Sequence, residues 1–282
     1  VKLWRTADDR PQNKGEFWLN VLLQKHGAVP YLADVEPYGA VTKDIFEAQK
    51  TRRFGTSNPE VMDLAFWKLM IRNQEAAYWA RMRFRSLANY TDAPIWCFQR
   101  FGMSETNLAD GRIVYIAGEH EDYYDPDFCI YNDVIVIEPH GAITIYGYPR
   151  SIFPPTDFHS ATLVGNSIYI IGSLGYKDER IKGYTPVYCL NLDTFAIEKI
   201  ETTGEMPGWI SKHNAEYDAA NHTIKLTDGE LIMQWNGEQR EAEIPGLPDL
   251  GIEPTRYTQA AIPKSEASYS LALTTHKWKK LS

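Results

Sequence analysis

Beyond residue 95 the chain alternates apolar and polar positions in short runs, each bounded by Gly, Asn, Asp or Pro. A period of two between turn formers predicts strands joined by tight reversals. The expected strands lie near 96–104, 112–118, 130–138 and 142–148, then 159–164, 167–173, 185–192 and 196–201, then 213–218, 223–227, 230–235 and 239–244. A further set near 256–262, 268–274 and 276–281 is one strand short. Val1 to Thr6 is the candidate to complete it, because closing a ring removes exposed sheet edges. The alternative is an open array whose edge the N-terminal helices cover.

Before residue 92 the period is helical. Phe17, Trp18, Val21 and Leu22 share one face between Lys14 and His26, and Gly27 stands where a left-handed cap is wanted. A second helix is expected from Lys43 to Arg53, after the turn-rich segment Pro30 to Gly39. A third starts with Asn58 as N-cap and Pro59 in the first helical position, with Glu60 and Asp63 near the positive end of the dipole. Met62, Phe66, Leu69, Met70, Ala77, Trp79, Met82 and Phe84 carry its apolar pattern to Leu87. Unbroken, it spans roughly 45 Å at ~1.5 Å per residue, and Asn73-Gln74 is where it can break. Arg81, Arg83 and Arg85 suit its negative C-terminal end.

The strand pattern repeats. FGMSETNLADGRIVYIAG (101–118) matches FHSATLVGNSIYIIG (158–172), with Gly118 and Gly172 54 residues apart, and HNAEYDAANHTIKLTDG (213–229) is a third copy. DVIVIEPHGAITIY (133–146) matches PVYCLNLDTFAIEKI (186–200), and YSLALTTHKWKKL (269–281) matches YCLNLDTFAIEKI (188–200), placing Trp278 on Ile197. A recurring supersecondary unit constrains the whole architecture. On these residues the chain resembles the Kelch repeat family over about 95–282, with Ala117-Gly118 and Ile171-Gly172 at the family's glycine pair and Trp278 at its blade-closing Trp. The resemblance implies four-stranded blades in a propeller. It also implies that His159 and His213 satisfy neighbouring backbone groups. The expected fold is therefore α+β and multidomain: a helical region over 1–92, then an all-β Kelch-like propeller of four blades over 93–282.

Charge divides at the same place, across the turn-rich stretch Asn89 to Pro94. Residues 1–92 hold 14 Lys and Arg against 11 Asp and Glu; residues 93–282 hold 15 against 26, a balance of −11. So acidic a region repels a phosphate backbone, which argues against nucleic-acid binding and favours a basic protein partner. No run approaches the ~18 consecutive apolar residues of a membrane-spanning helix, and Val1 to Asp9 lacks the basic-then-apolar pattern of a signal peptide. Cys97, Cys129 and Cys189 include no C-x-x-C pair, so neither a zinc ribbon nor a disulfide framework is expected. The expected location is the cytoplasm.

In an antiparallel blade the loop between the second and third strands lies on the same end as the segment leading into the first. That end gathers Glu119, His120, Glu121, Asp122, Tyr123 and Tyr124, the loop with Tyr176 and Arg180, and the connections carrying Asp157, His159, Trp209 and His213. Loops on a rigid scaffold commonly carry contacts, and exposed aromatics make anchors. The functional expectation is a protein–protein interaction module, toxin-neutralising or adaptor in role, with no cofactor or metal. The competing expectation is a propeller enzyme, hydrolase or isomerase, with Asp157, His159 and His213 about an axis, since a His beside a carboxylate can act as a base. Asp122, Asp125 and Asp127 offer hard oxygen ligands, but without the spacing of an EF-hand. No nucleophile elbow, phosphate loop or H-E-x-x-H motif is present.

Overall fold

All four residues of Val134–Ile137 are apolar, and the strand that they form is packed on both faces. Its surroundings set the architecture. The computed structural model describes residues 40–86, 93–120, 128–231, 265 and 267–281. In chain order they form α1 (Lys43–Gln49), β1 (Glu60–Val61), α2 (Ala65–Asn73), α3 (Ala77–Arg83), β2 (Ser104–Asn107), β3 (Ile113–Ile116), β4 (Glu119–His120), β5 (Cys129–Ile130), β6 (Val134–Ile137) and β7 (Ile143–Gly147). There follow β8 (Ser160–Val164), β9 (Ser167–Ile171), β10 (Val187–Asn191), β11 (Ile197–Lys199), β12 (Thr203–Gly204), β13 (Ile210–Ser211), β14 (Asn214–Asp218), β15 (Thr223–Thr227), β16 (Glu230–Leu231), β17 (Tyr269–Ala272) and β18 (Lys277–Lys280).

Three main sheets result, ordered β1-β7-β6-β3-β2, β11-β10-β9-β8 and β12-β18-β17-β15-β14. Short ladders β4-β5 and β13-β16 lie at the loop end. Side-chain alternation stacks the sheets. Ile135, Ile143 and Ile145 face a core shared with Phe46, Phe66, Trp67 and Met70 of the helices. Val134 and Val136 face the second sheet, meeting Ile168, Ile170, Tyr188 and Leu190. From that sheet's other face, Val187 and Ile171 meet Ile224, Leu226, Leu271 and Trp278 of the third. Each fully buried Val, Ile or Leu is worth about 1.5–3 kcal/mol over its exposed state, so three parallel cores hold four layers together. The outward face of the third sheet is polar: Glu216, Lys225 and Lys279 are exposed and lie on one cross-strand row through Ser270.

The expected arrangement of a large helical region followed by a four-bladed propeller is overturned. Among the described residues there are three short α-helices against eighteen strands, and the sheets do not close on themselves. Residues 268–281 do not begin a fourth blade, because Leu226 pairs with Tyr269 and draws β17 and β18 into the third sheet. The charged outer face of that sheet offers no apolar surface for another blade to bury. Nor does a helix start at Pro59. Glu60 and Val61 instead pair with Gly147 and Tyr146 and extend the first sheet. Gly55 and Gly147 make this approach possible: a Cβ on Gly55 would lie 2.4 Å from the Gly147 carbonyl, and one on Gly147 would collide with Met62. The helix begins at Ala65 and ends where Gln74 turns left-handed. Residues 14–26 and Val1 to Thr6, where another helix and a closing strand are expected, lie outside the described residues.

Candidate functional site

The three sheets present the same end to their interconnecting loops. Phe158 N–H donates to Gly102 O at 2.9 Å and Lys212 N–H to Phe158 O at 2.8 Å, so the segments leading into β8 and β14, edge strands of the second and third sheets, are each tied to the corresponding segment of the sheet before. Gly118 N–H donates to Thr156 O, Ser173 N–H to Ile210 O and Leu174 N–H to Asp157 O. A close approach lies at Gly172, whose φ is +73° and where a Cβ would stand 2.4 Å from Ile210 O. The loops form one hydrogen-bonded surface.

Four of the expected site residues converge there. The Asp157 carboxylate is fully buried, and its Oδ1 accepts from Gly175 N–H at 2.6 Å and from Ser173 Oγ at 3.1 Å. Arg180 Nε donates to Leu174 O at 2.8 Å and its Nη2 to Gly175 O at 2.9 Å. Trp209 Nε1 donates to Leu174 O at 3.1 Å. Burial pulls the Arg180 guanidinium below its usual range, partly offset by Asp157. Tyr176 OH accepts from Ile130 N–H at 2.9 Å, fastening the loop to the first sheet. Asp157 and Trp209 are buried, so these two shape the loop rather than meet a ligand.

The two histidines answer to hydroxyls and not to backbone. His159 Nε2 is hydrogen-bonded to Ser104 Oγ and His213 Nε2 to Ser160 Oγ, both at 2.8 Å. Burial pushes the His159 imidazole down to about 3, with His213 adding repulsion, and burial pushes His213 down to about 4. Both rings are neutral near pH 7. The hydrogen bonds of the Asp157 carboxylate go to Ser173 and Gly175, not to an imidazole, so the three residues are not linked as base and orienting acid. His120 is buried, with Nδ1 2.8 Å from Gln99 O. Glu119 pairs with Ile130 in the β4-β5 ladder. Glu121, Asp122, Tyr123 and Tyr124, together with Asp125 and Asp127, lie outside the described residues. Among the described residues no group of His, Cys, Asp or Glu is placed to hold a metal ion.

Sequence reasoning missed two features. The first is buried: Arg100 pairs through both terminal nitrogens with Asp133, stacks on Tyr131 with 3.4 Å from guanidinium carbon to ring centre, and donates to Cys97 O and Ala117 O, while Trp96 Nε1 donates to Asp133. A charged pair separated by 33 positions leaves no periodic trace. The second is exposed: Phe101 (62%), Phe128 (45%) and Ile181 (57%) open to solvent at the loop end. Phe128 and Ile181 flank strands, and Phe101, which the alternation puts inside a strand over 96–104, makes only an isolated bridge to Glu119 ahead of β2, which starts at Ser104.

No family model matches the chain, and no curated protein does. A solved structure described as "Structure of YjhT" aligns with 65% of this chain and 52% of its own length, at 15% identity and a TM-score of 0.42. The chain thus spans about half of that structure, and a likeness at this level carries no argument about what the protein does.

Proposed function

We propose that the protein is an interaction module that captures a protein partner on the loop end of its stacked sheets. The observation that carries this is the bracing of the Ser173–Tyr184 loop by Asp157, Arg180 and Trp209 beside exposed Phe101, Phe128 and Ile181. Loops held on a rigid scaffold lose little freedom on binding, and apolar side chains left in water are what an interface buries. The balance of −11 over 93–282 favours a partner that is basic overall. The three related sheets are read as Kelch-like repeats, and an adaptor or a toxin-neutralising protein would use such an end alike. A cytoplasmic location fits the three free cysteines. Among the described residues no helix is long and apolar enough to cross a membrane.

The test is affinity capture with the wild type and with the double variant Phe101→Asp, Ile181→Asp. Both side chains are exposed, so each change should cost less than about 0.5 kcal/mol of stability. A partner retained by the wild type should be lost by a double variant of unchanged melting temperature. Retention of the same proteins by both would remove the proposal.

A further inference from the structure

An arginine without a carboxylate stands at the rim of the loop end. Arg52 is half-buried, its guanidinium carbon lies 4.8 Å from the centre of the Phe54 ring, and its Nη1 donates to Ile130 O. Among the described residues no carboxylate pairs with it. Arg150 approaches the same ring, at 5.9 Å, and lies equally far from the ring of Tyr176. Glu179 is ion-paired with Arg150, whose side chain is half-exposed. Phe128 meets Tyr176 edge-on at 6.0 Å between ring centres. Two guanidinium groups thus lie against one aromatic ring, only one of them ion-paired, near the exposed ring of Phe128 and the half-buried ring of Tyr176.

We propose that Arg52 and Arg150 form a carboxylate-binding site that takes an acidic side chain of the partner, with an apolar residue next to it lying on Phe128 and Tyr176. The inference rests on the reading of this end as a protein-binding surface and names the chemistry of one anchor. A guanidinium offers five N–H donors in a planar fork, of which Arg52 commits one nitrogen to Ile130, so its remaining donors match a carboxylate. Stacking on Phe54 removes water from one side of each cation and strengthens its attraction for an anion. The site is a cationic island in an acidic region. It therefore selects for where the partner places a carboxylate and not for the partner's net charge.

The probe is an N-acetylated tetrapeptide amide of alternating Phe and Glu, titrated into the full chain while the arginine Nε–Hε resonances are followed by NMR. Saturable shifts at Arg52 and Arg150 are expected, suppressed by salt. Arg150→Gln should weaken the peptide at least about tenfold, the loss of a charge-assisted pair, without changing the melting temperature. The same peptide with Gln for Glu should not bind. Equal binding of the Gln peptide, an unchanged affinity in Arg150→Gln, or an equal response to inorganic phosphate would overturn the proposal. If the peptide fails while the Phe101→Asp, Ile181→Asp variant still loses its partner, the carboxylate site falls and the module reading stands.

Discussion

His159 and His213 occupy equivalent positions one repeat apart, and each reaches the sheet before its own through a serine hydroxyl. The third equivalent position is Met103, so the first sheet lacks the device. Their Nδ1 atoms are buried without a hydrogen bond, which is why protonation is costly. In the unfolded chain a histidine takes up a proton near 6.5, whereas here the rings wait until about 3 and 4. The unfolded state thus binds more protons as pH falls below 6.5, and stability must drop across the window from 6.5 to 4. At pH 5 the loss should be on the order of 1–2 kcal/mol for each ring. Urea midpoints at pH 7.5 and pH 5 check this: the wild type should lose stability between them, and the double variant His159→Gln, His213→Gln should lose much less. Glu60 does not blur the comparison. Arg53 and the Thr56 N–H hold its carboxyl down to about 2, so its contribution is lost only below about pH 4.5. From sequence, both histidines were visible as repeat positions, but their serine partners were not, because Ser104 and Ser160 belong to neighbouring units.

Among the elements, the outer edge of the second sheet is protected by a side chain. Asn58 Nδ2 donates to Ile197 O at 2.8 Å and Ile197 N–H donates to Asn58 Oδ1 at 2.9 Å, so the amide imitates the backbone of an absent neighbouring strand. Just beyond it, β1 pairs with β7 and covers the edge of the first sheet. One strap thereby finishes two edges that would otherwise invite pairing with another chain. Asn58→Ala should lower stability by about 1–3 kcal/mol, since it leaves a half-buried donor and acceptor unmade. Amide exchange should quicken selectively at Ile197, and equal protection in variant and wild type would show that the strap is dispensable. Local signals read Asn58 as a helix cap because Asn-Pro-Glu is a good helix start. The sheet edge 139 positions away outweighs it. Elsewhere the pairing was legible: Leu190 faces Ile197 in the second sheet as Leu271 faces Trp278 in the third, the equivalence that the repeat implies.

At the scale of the whole molecule, the number of sheets was the part that sequence did not settle. The matching of 269–281 with 188–200 pointed to a fourth set of strands, whereas the long-range pairing of Leu226 with Tyr269 makes β17 and β18 part of the third sheet. The helices likewise carry a clear apolar pattern, and what they cover, Ile135, Ile143 and Ile145, is decided by packing alone. The resulting stack has helices against its first sheet and charge on the outer face of its third, and its loop end carries exposed Phe101, Phe128 and Ile181 on a braced frame. The most direct test places a photoreactive amino acid at Ile181, on the loop end, and separately at Leu163, on the opposite end and also exposed (37%). Irradiation in cells of the source organism should give one dominant protein adduct from position 181 and none from position 163. An adduct from position 163 and not from 181 would contradict the assignment of the loop end as the binding surface.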